Sequence, residues 1–163
     1  MTDSPFADHY PRLTALAARV VDQRATAEEV AADALARLDG SPVDGRPEDE
    51  VAAWLNRVTI NLALNRVRAA KRHDARVAAH GQAVGPDRPE TPEDVVTRDD
   101  ERRRVRAVLA GLPERQAVAL LLRHSGHSYA EIAASLGVAA GSVGVLLARG
   151  ERAFRRDWET DDD

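Results

Sequence analysis

The amino-acid sequence predicts an all-α protein of two small helical domains joined by a flexible linker. Three observations predict it. Apolar residues recur at helical spacing through most of the chain. Aromatic residues make up only 4% of the 163, and no long alternating β-branched run interrupts the Ala, Leu, Val and Arg. One run rich in Gly, Pro and acid divides the chain in two. The length suffices for two cores, since domains run from about 50 residues upward. The expected division is a first domain over 1–75, a linker over 76–96, a second domain over 97–158 and an acidic tail over 159–163.

From Phe6 to Leu38, Leu13, Leu16 and Val20 and then Val30, Ala34 and Leu38 carry helical spacing, so two helices are expected with a turn near Asp22 to Ala25. Thr26 followed by Glu29 matches a capping box at the start of the second helix. Asp39 to Asp49 holds two Gly and two Pro and reads as a loop. A long helix is expected over about Glu50 to His73, with Val51, Leu55, Val58 and Leu62 packing against the first two helices. The stretch HGQAVGPDRPETPED has almost nothing to bury and reads as a tether. Beyond it come a charged helix over about Thr97 to Ala110, an apolar helix after Pro113 through Leu120, Leu121 and Leu122, a helix over Ser128 to Leu136 and a last one over about Ala140 to Trp158.

Composition excludes several classes. Cysteine is absent, which rules out disulfides and thiolate metal sites. No apolar run approaches the roughly 20 residues of a membrane span, and the start MTDSPFADHY lacks the apolar core of a signal peptide, so no membrane insertion and a cytoplasmic location are expected. The five histidines are scattered, and no phosphate loop, nucleophile elbow or carboxylate pair stands out. No catalytic residue, cofactor or metal is therefore expected.

The formal net charge of −4 conceals a sorted distribution. Residues 1–50 hold 5 basic and 11 acidic side chains, whereas residues 51–76 hold Arg57, Arg66, Arg68, Lys71, Arg72 and Arg76 against Asp74 alone. A basic stripe on an acidic protein is a local footprint for nucleic acid. On the long helix, Arg57, Asn61, Asn65, Arg68 and Arg72 fall within an arc of roughly 80°. Guanidinium groups neutralise phosphates and amides pair with base edges, so this face suits DNA.

In the second half, SYAEIAASLGVAAGSVGVLLARGERAF reads as helix, tight turn, helix. Ile132, Ala133, Leu136, Val138, Val143 and Leu146 take its inward positions, and Gly137 sits where the turn needs a positive φ. The outward start of the last helix is Ala139, Ala140, Gly141, Ser142, Gly144 and Val145, in which Ser142 alone is a strong hydrogen-bonding side chain. Arg149, Arg152 and Arg156 continue that face as a phosphate-contacting edge. Base readout by this domain is expected to be weak, leaning on backbone contacts, thymine methyls and DNA shape. Glu29, Asp33 and Arg37 repeat at spacing four on the second helix, which suits either simple i,i+4 pairing or a binding face.

Three stretches, TAEEVAADALARL at 26–38, AWLNRVTINLALNRVRAAKR at 53–72 and LPERQAVALLLRHSGHSYAEIAASLGVAAGSVGVLLAR at 112–149, resemble the extracytoplasmic-function sigma factors, the smallest members of the bacterial sigma-70 family. The resemblance covers nearly everything from Phe6 to Trp158. It implies a region 2 bundle followed by a region 4 helix-turn-helix, with core RNA polymerase, promoter DNA and an anti-sigma factor as partners.

By the same resemblance, Glu28, Glu29, Asp33 and Leu35 grip the clamp helices of the polymerase, and the second domain binds its flap. Asn61, Asn65 and the loop Asp39 to Asp49 read the melted minus-ten element while Arg57, Arg68, Lys71 and Arg72 hold backbone. Ser142, Arg149 and Arg152 lie near the minus-thirty-five element. The chain departs from the family in having Ala32 and Asp33 where Gln and Glu are common, and Gly144 and Leu146 where Lys or Arg is common. The residues also allow a sigma-like decoy that binds partners without reading DNA, and a free-standing helix-turn-helix repressor.

Overall fold

The computed structural model describes residues 4–80 and 93–162. Among these residues the elements are all helical: α1 (Pro5–Ala18), α2 (Arg24–Ala36), α3 (Glu48–Ala79), α4 (Glu93–Gly111), α5 (Glu114–His124), α6 (Tyr129–Leu136) and α7 (Ala140–Thr160). Helices α1, α2 and α3 pack on one another, α5, α6 and α7 do the same with α4 laid against α7, and α3 meets α4, α5 and α6. Most of the expected tether lies outside the described residues.

The first bundle closes around Leu13, Ala31, Ala34, Val51 and Leu55, flanked by half-buried Val58 and Leu62, as the spacing of α3 predicts. Buried His9 ties α1 to the start of α3, with its Nε2 2.9 Å from the Glu48 carboxylate and its Nδ1 3.0 Å from Arg12. Glu48, Asp49 and Glu50 in the first turn of α3 and Arg76 in its last complement the helix dipole. This helix runs six residues beyond the expected His73, because nothing from Asp74 to Ala79 removes a backbone donor or adds glycine freedom.

The expected Thr26–Glu29 capping box does not form. Helix α2 begins three residues earlier than that cap requires, at Arg24 after Gln23, so Thr26 already lies in the first turn and Glu29 turns to Arg66. The same S/T-x-x-E signature does operate at α6, where Glu131 N–H donates to Ser128 Oγ at 3.1 Å and Ser128 N–H donates back to Glu131 Oε1 at 3.3 Å.

In the second domain, Ile132, Ala133, Leu136 and Val143 are buried and Val138 and Leu146 half-buried, as expected of a helix-turn-helix. Gly137 closes α6 in the left-handed conformation at φ +66°. Gly150 lets α7 approach α5, since a Cβ there would lie 3.0 Å from Leu120 Cδ1.

Helix α3 buries more than the one stripe its 4-3-4 spacing predicts. Ile60 and Leu64, on the side roughly opposite Leu55, are also fully buried. They belong to an apolar cluster that runs from α1 (Leu16) and the turn after it (Val20) into the second domain (Leu109, Leu112, Leu122). The second domain thus lies along α3, and this juxtaposition sets the geometry of the candidate site.

Candidate nucleic-acid interface

The basic face of α3 is turned toward the second domain. Arg57 donates from Nε and Nη2 to Glu114 Oε1 at 3.2 and 2.9 Å, and Asn61 Nδ2 donates to the same oxygen at 2.9 Å. Those hydrogen bonds, Arg57 first and Asn61 second, hold the Glu114 carboxyl below its ordinary 4.5. Arg68 donates to the Ala110 carbonyl at 2.7 Å and to Asn65 Oδ1 at 2.8 Å. Asn65, Lys71 and Arg72 are exposed. The expected loop 39–49 is a run of turns only as far as Pro47, because Glu48 and Asp49 already open α3; within it Gly40 N–H donates to Asp44, and Arg46 pairs with Glu50.

On α7, Ser142, Val145, Arg149, Arg152 and Arg156 share an arc of roughly 80°, and Ser142, Arg149 and Arg152 are exposed. The three arginines line a cavity of about 310 Å³ with Pro113 and Gln116. Val145, at 51% exposure, is one of the most exposed large apolar side chains. This second basic face is open to solvent while the first is partly covered.

The acidic residues of α2 are placed differently from a simple i,i+4 ladder. Arg66 of α3 reaches Glu29 at 3.1 Å and Asp33 at 3.3 Å, so the partner of Asp33 is Arg66 rather than Arg37. Glu28 pairs with Arg24 at 3.0 Å. Leu35 is half-buried beside Phe6, Ala32 and Leu38 in a shallow cleft. Glu29 and Asp33 keep 63% and 54% of their side-chain surface exposed.

The local sequence gave no sign of Glu114 and His127. Glu114 follows Pro113 as an ordinary first-turn acid, and His127 falls in a loop, where its Nε2 lies 3.4 Å from Asn56 Nδ2 across the domain boundary. A contact between residues 57 or 71 positions apart leaves no periodic trace. Among the described residues no cluster of His, Asp and Glu is arranged to hold a metal ion, and no single helix is long and apolar enough to cross a membrane.

Comparison with known families places both halves together. A model of sigma-70 region 2 matches residues 6–73, and a model of sigma-70 region 4 matches residues 102–154. The chain belongs to the sigma-70 family. This sigma factor is 28% identical over 155 residues to the ECF RNA polymerase sigma factor SigM of Mycobacterium tuberculosis, a match that spans 94% of this chain and 75% of that one. It is 30% identical over 148 residues to the ECF RNA polymerase sigma factor SigE of Mycolicibacterium smegmatis, spanning 90% of this chain and 57% of that one. It is also similar, at 22% identity and a TM-score of 0.47 over 97% of this chain and 96% of the other, to a sigma factor RpoE solved in complex with the anti-sigma factor NepR from Bartonella quintana. The protein is an alternative sigma factor of the extracytoplasmic-function type, acting in transcription initiation.

Proposed function

We propose that this sigma factor binds core RNA polymerase through the acidic face of α2 and directs it to promoters through α3 and α7. Glu28, Glu29, Asp33 and Leu35 grip the clamp helices, and the second domain takes the flap. Asn61, Asn65 and the loop 39–49 read the melted minus-ten strand, with Arg57, Arg68, Lys71 and Arg72 on its phosphates. Ser142, Arg149 and Arg152 contact the minus-thirty-five duplex, mostly through backbone. The protein works in the cytoplasm with no catalytic chemistry or cofactor of its own, and an anti-sigma factor holds it inactive until a signal arrives.

The observation that carries this reading is the face of α3 from Arg57 to Arg72, which joins three cations and two amides within one arc in a stretch of helix that includes no acid. The alternative, a decoy that binds polymerase without reading DNA, draws on the Ala- and Gly-rich start of α7. One experiment separates them: run-off transcription of fragmented source-genome DNA by sigma-free core polymerase, with and without the protein. Discrete new starts sharing an upstream motif are expected. Co-purification with core but no new starts favours the decoy, and neither property overturns both.

A further inference from the structure

The covered face of α3 has a consequence for the free protein. Glu114 presents one carboxylate oxygen to the same guanidinium and amide groups assigned above to a nucleic-acid strand. A phosphate oxygen or a base carbonyl offers those donors the same chemistry: an acceptor, anionic in the phosphate, at about 2.9 Å. Arg68, the next cation along the face, is likewise spent on the Ala110 carbonyl at the end of α4. Glu114 and Ala110 flank the short α4–α5 junction, so one edge of the second domain fills both positions.

The seam around these contacts is polar and incompletely paired. Asn56 Oδ1 and Ser135 Oγ are buried without a hydrogen-bond partner. A cleft of about 530 Å³ between α3 and α6 is lined by Arg57, Asn61, Glu114 and Ser135. Unpaired buried acceptors cost free energy in the packed arrangement and regain water on separation, which lowers the cost of opening. The apolar cluster holds the domains together, while the Arg57–Glu114 contact stays partly exposed to solvent. On the far side of the bundle the α2 acids remain largely exposed.

We infer that Glu114 is an interdomain latch, a carboxylate that occupies the strand-binding positions of Arg57 and Asn61 and keeps the free protein closed until a competing strand or a bound polymerase displaces it. The strand-binding half of this statement rests on the proposed function above, whereas the latch itself is a claim about two domains. The apparent affinity for a strand is then reduced by the fraction of molecules that are open.

The natural absence of cysteine makes the test direct. Cysteines are introduced at exposed Ala15 on α1 and Glu159 on α7 of the full chain, and energy transfer between attached dyes reports the interdomain distance. Glu114→Gln is expected to raise the ratio of open to closed molecules about three- to tenfold, the range of a partly exposed charged hydrogen-bonded pair. Glu114→Lys, which sets like charges together, raises it further, and the swap Arg57→Glu with Glu114→Arg restores closure.

Binding of a fluorescein-labelled, mixed-sequence single-stranded oligonucleotide is measured in parallel and is expected to tighten with the open fraction in Glu114→Gln. Unchanged distances in both Glu114→Gln and Glu114→Lys overturn the latch, whatever the oligonucleotide does. Longer distances without tighter strand binding keep the latch and overturn the assignment of α3 to a strand.

Discussion

The Oε1 atom of Glu114 lies 2.9 Å from Arg57 Nη2, although the two stand 57 positions apart in the chain. The pair fixes where the second domain meets the long helix. It also sets a pH dependence with a definite sign. Because the Glu114 carboxyl is depressed below its ordinary 4.5 by the Arg57 and Asn61 hydrogen bonds, its contribution to the closed form is present above that value and lost as pH falls through the depressed one. The difference in interdomain energy transfer between the parent protein and Glu114→Gln, followed from neutral to acid pH, should therefore stay level through the neutral range. Opening through this group should begin only once the pH drops below the ordinary carboxylate value, and Glu114→Gln should remove this group's part of the transition.

Exposed acids bound to one arginine can be removed without harm to the core. Glu29→Ala with Asp33→Ala should change unfolding free energy by no more than about 1 kcal/mol per pair, since both bridges to Arg66 are solvent-screened. Affinity for core polymerase should fall about tenfold or more, which is roughly 1.4 kcal/mol. Denaturant melts and a core-binding titration on the same variant separate the two effects.

Arg149 and Arg152 project from the open face of α7. Each Arg→Ala change should weaken holoenzyme binding to promoter duplex about equally across sequences and lower the slope of log affinity against log salt by about 1. Filter binding over a salt series checks this. A loss confined to one sequence would mean base readout by these side chains.

Ser128 closes the capping box of α6. Ser128→Ala should destabilise the helix-turn-helix by about 1 kcal/mol, and Ser128→Asp should restore most of it. Urea unfolding followed by circular dichroism is the measurement. Glu131 is held below its ordinary 4.5 by the Ser128 hydroxyl first, so its share of the cap is present at neutral pH and lost in acid.

Two glycines should fail for different reasons. Gly137→Ala forces a side chain into φ +66° and should cost about 1–2 kcal/mol although nothing crowds the position. Gly150→Val leaves the backbone in a helix but overpacks the crossing of α5 and α7 against Leu120, at about 1–3 kcal/mol. Combining Gly150→Val with Leu120→Ala should recover part of the loss, whereas the same partner change should not help Gly137→Ala.

Several elements of this fold are legible locally. The turn at Gly137 follows from the one residue type that tolerates a positive φ, and the buried set Ile132, Leu136 and Val143 follows from spacing alone. The end of α3 is less so, because helix termini depend on small differences among permissive residues such as Ala75 to Ala79. The Thr26–Glu29 signature misleads for a similar reason: a cap needs the chain to leave the helix at the capping residue, and here the helix has already begun at Arg24.

The sequence by itself determined the two helical units, the helix-turn-helix and the basic face of α3, because each depends on the order of side chains within a few turns of helix. Only the tertiary structure decided that this face meets Glu114, that Arg66 rather than Arg37 holds Asp33, and that Ile60 and Leu64 form a second buried line on α3. Periodicity reports which residues share a face. What that face touches is settled by packing between segments far apart in the chain, where an apolar patch and a few oppositely charged groups are brought together by the tertiary fold alone.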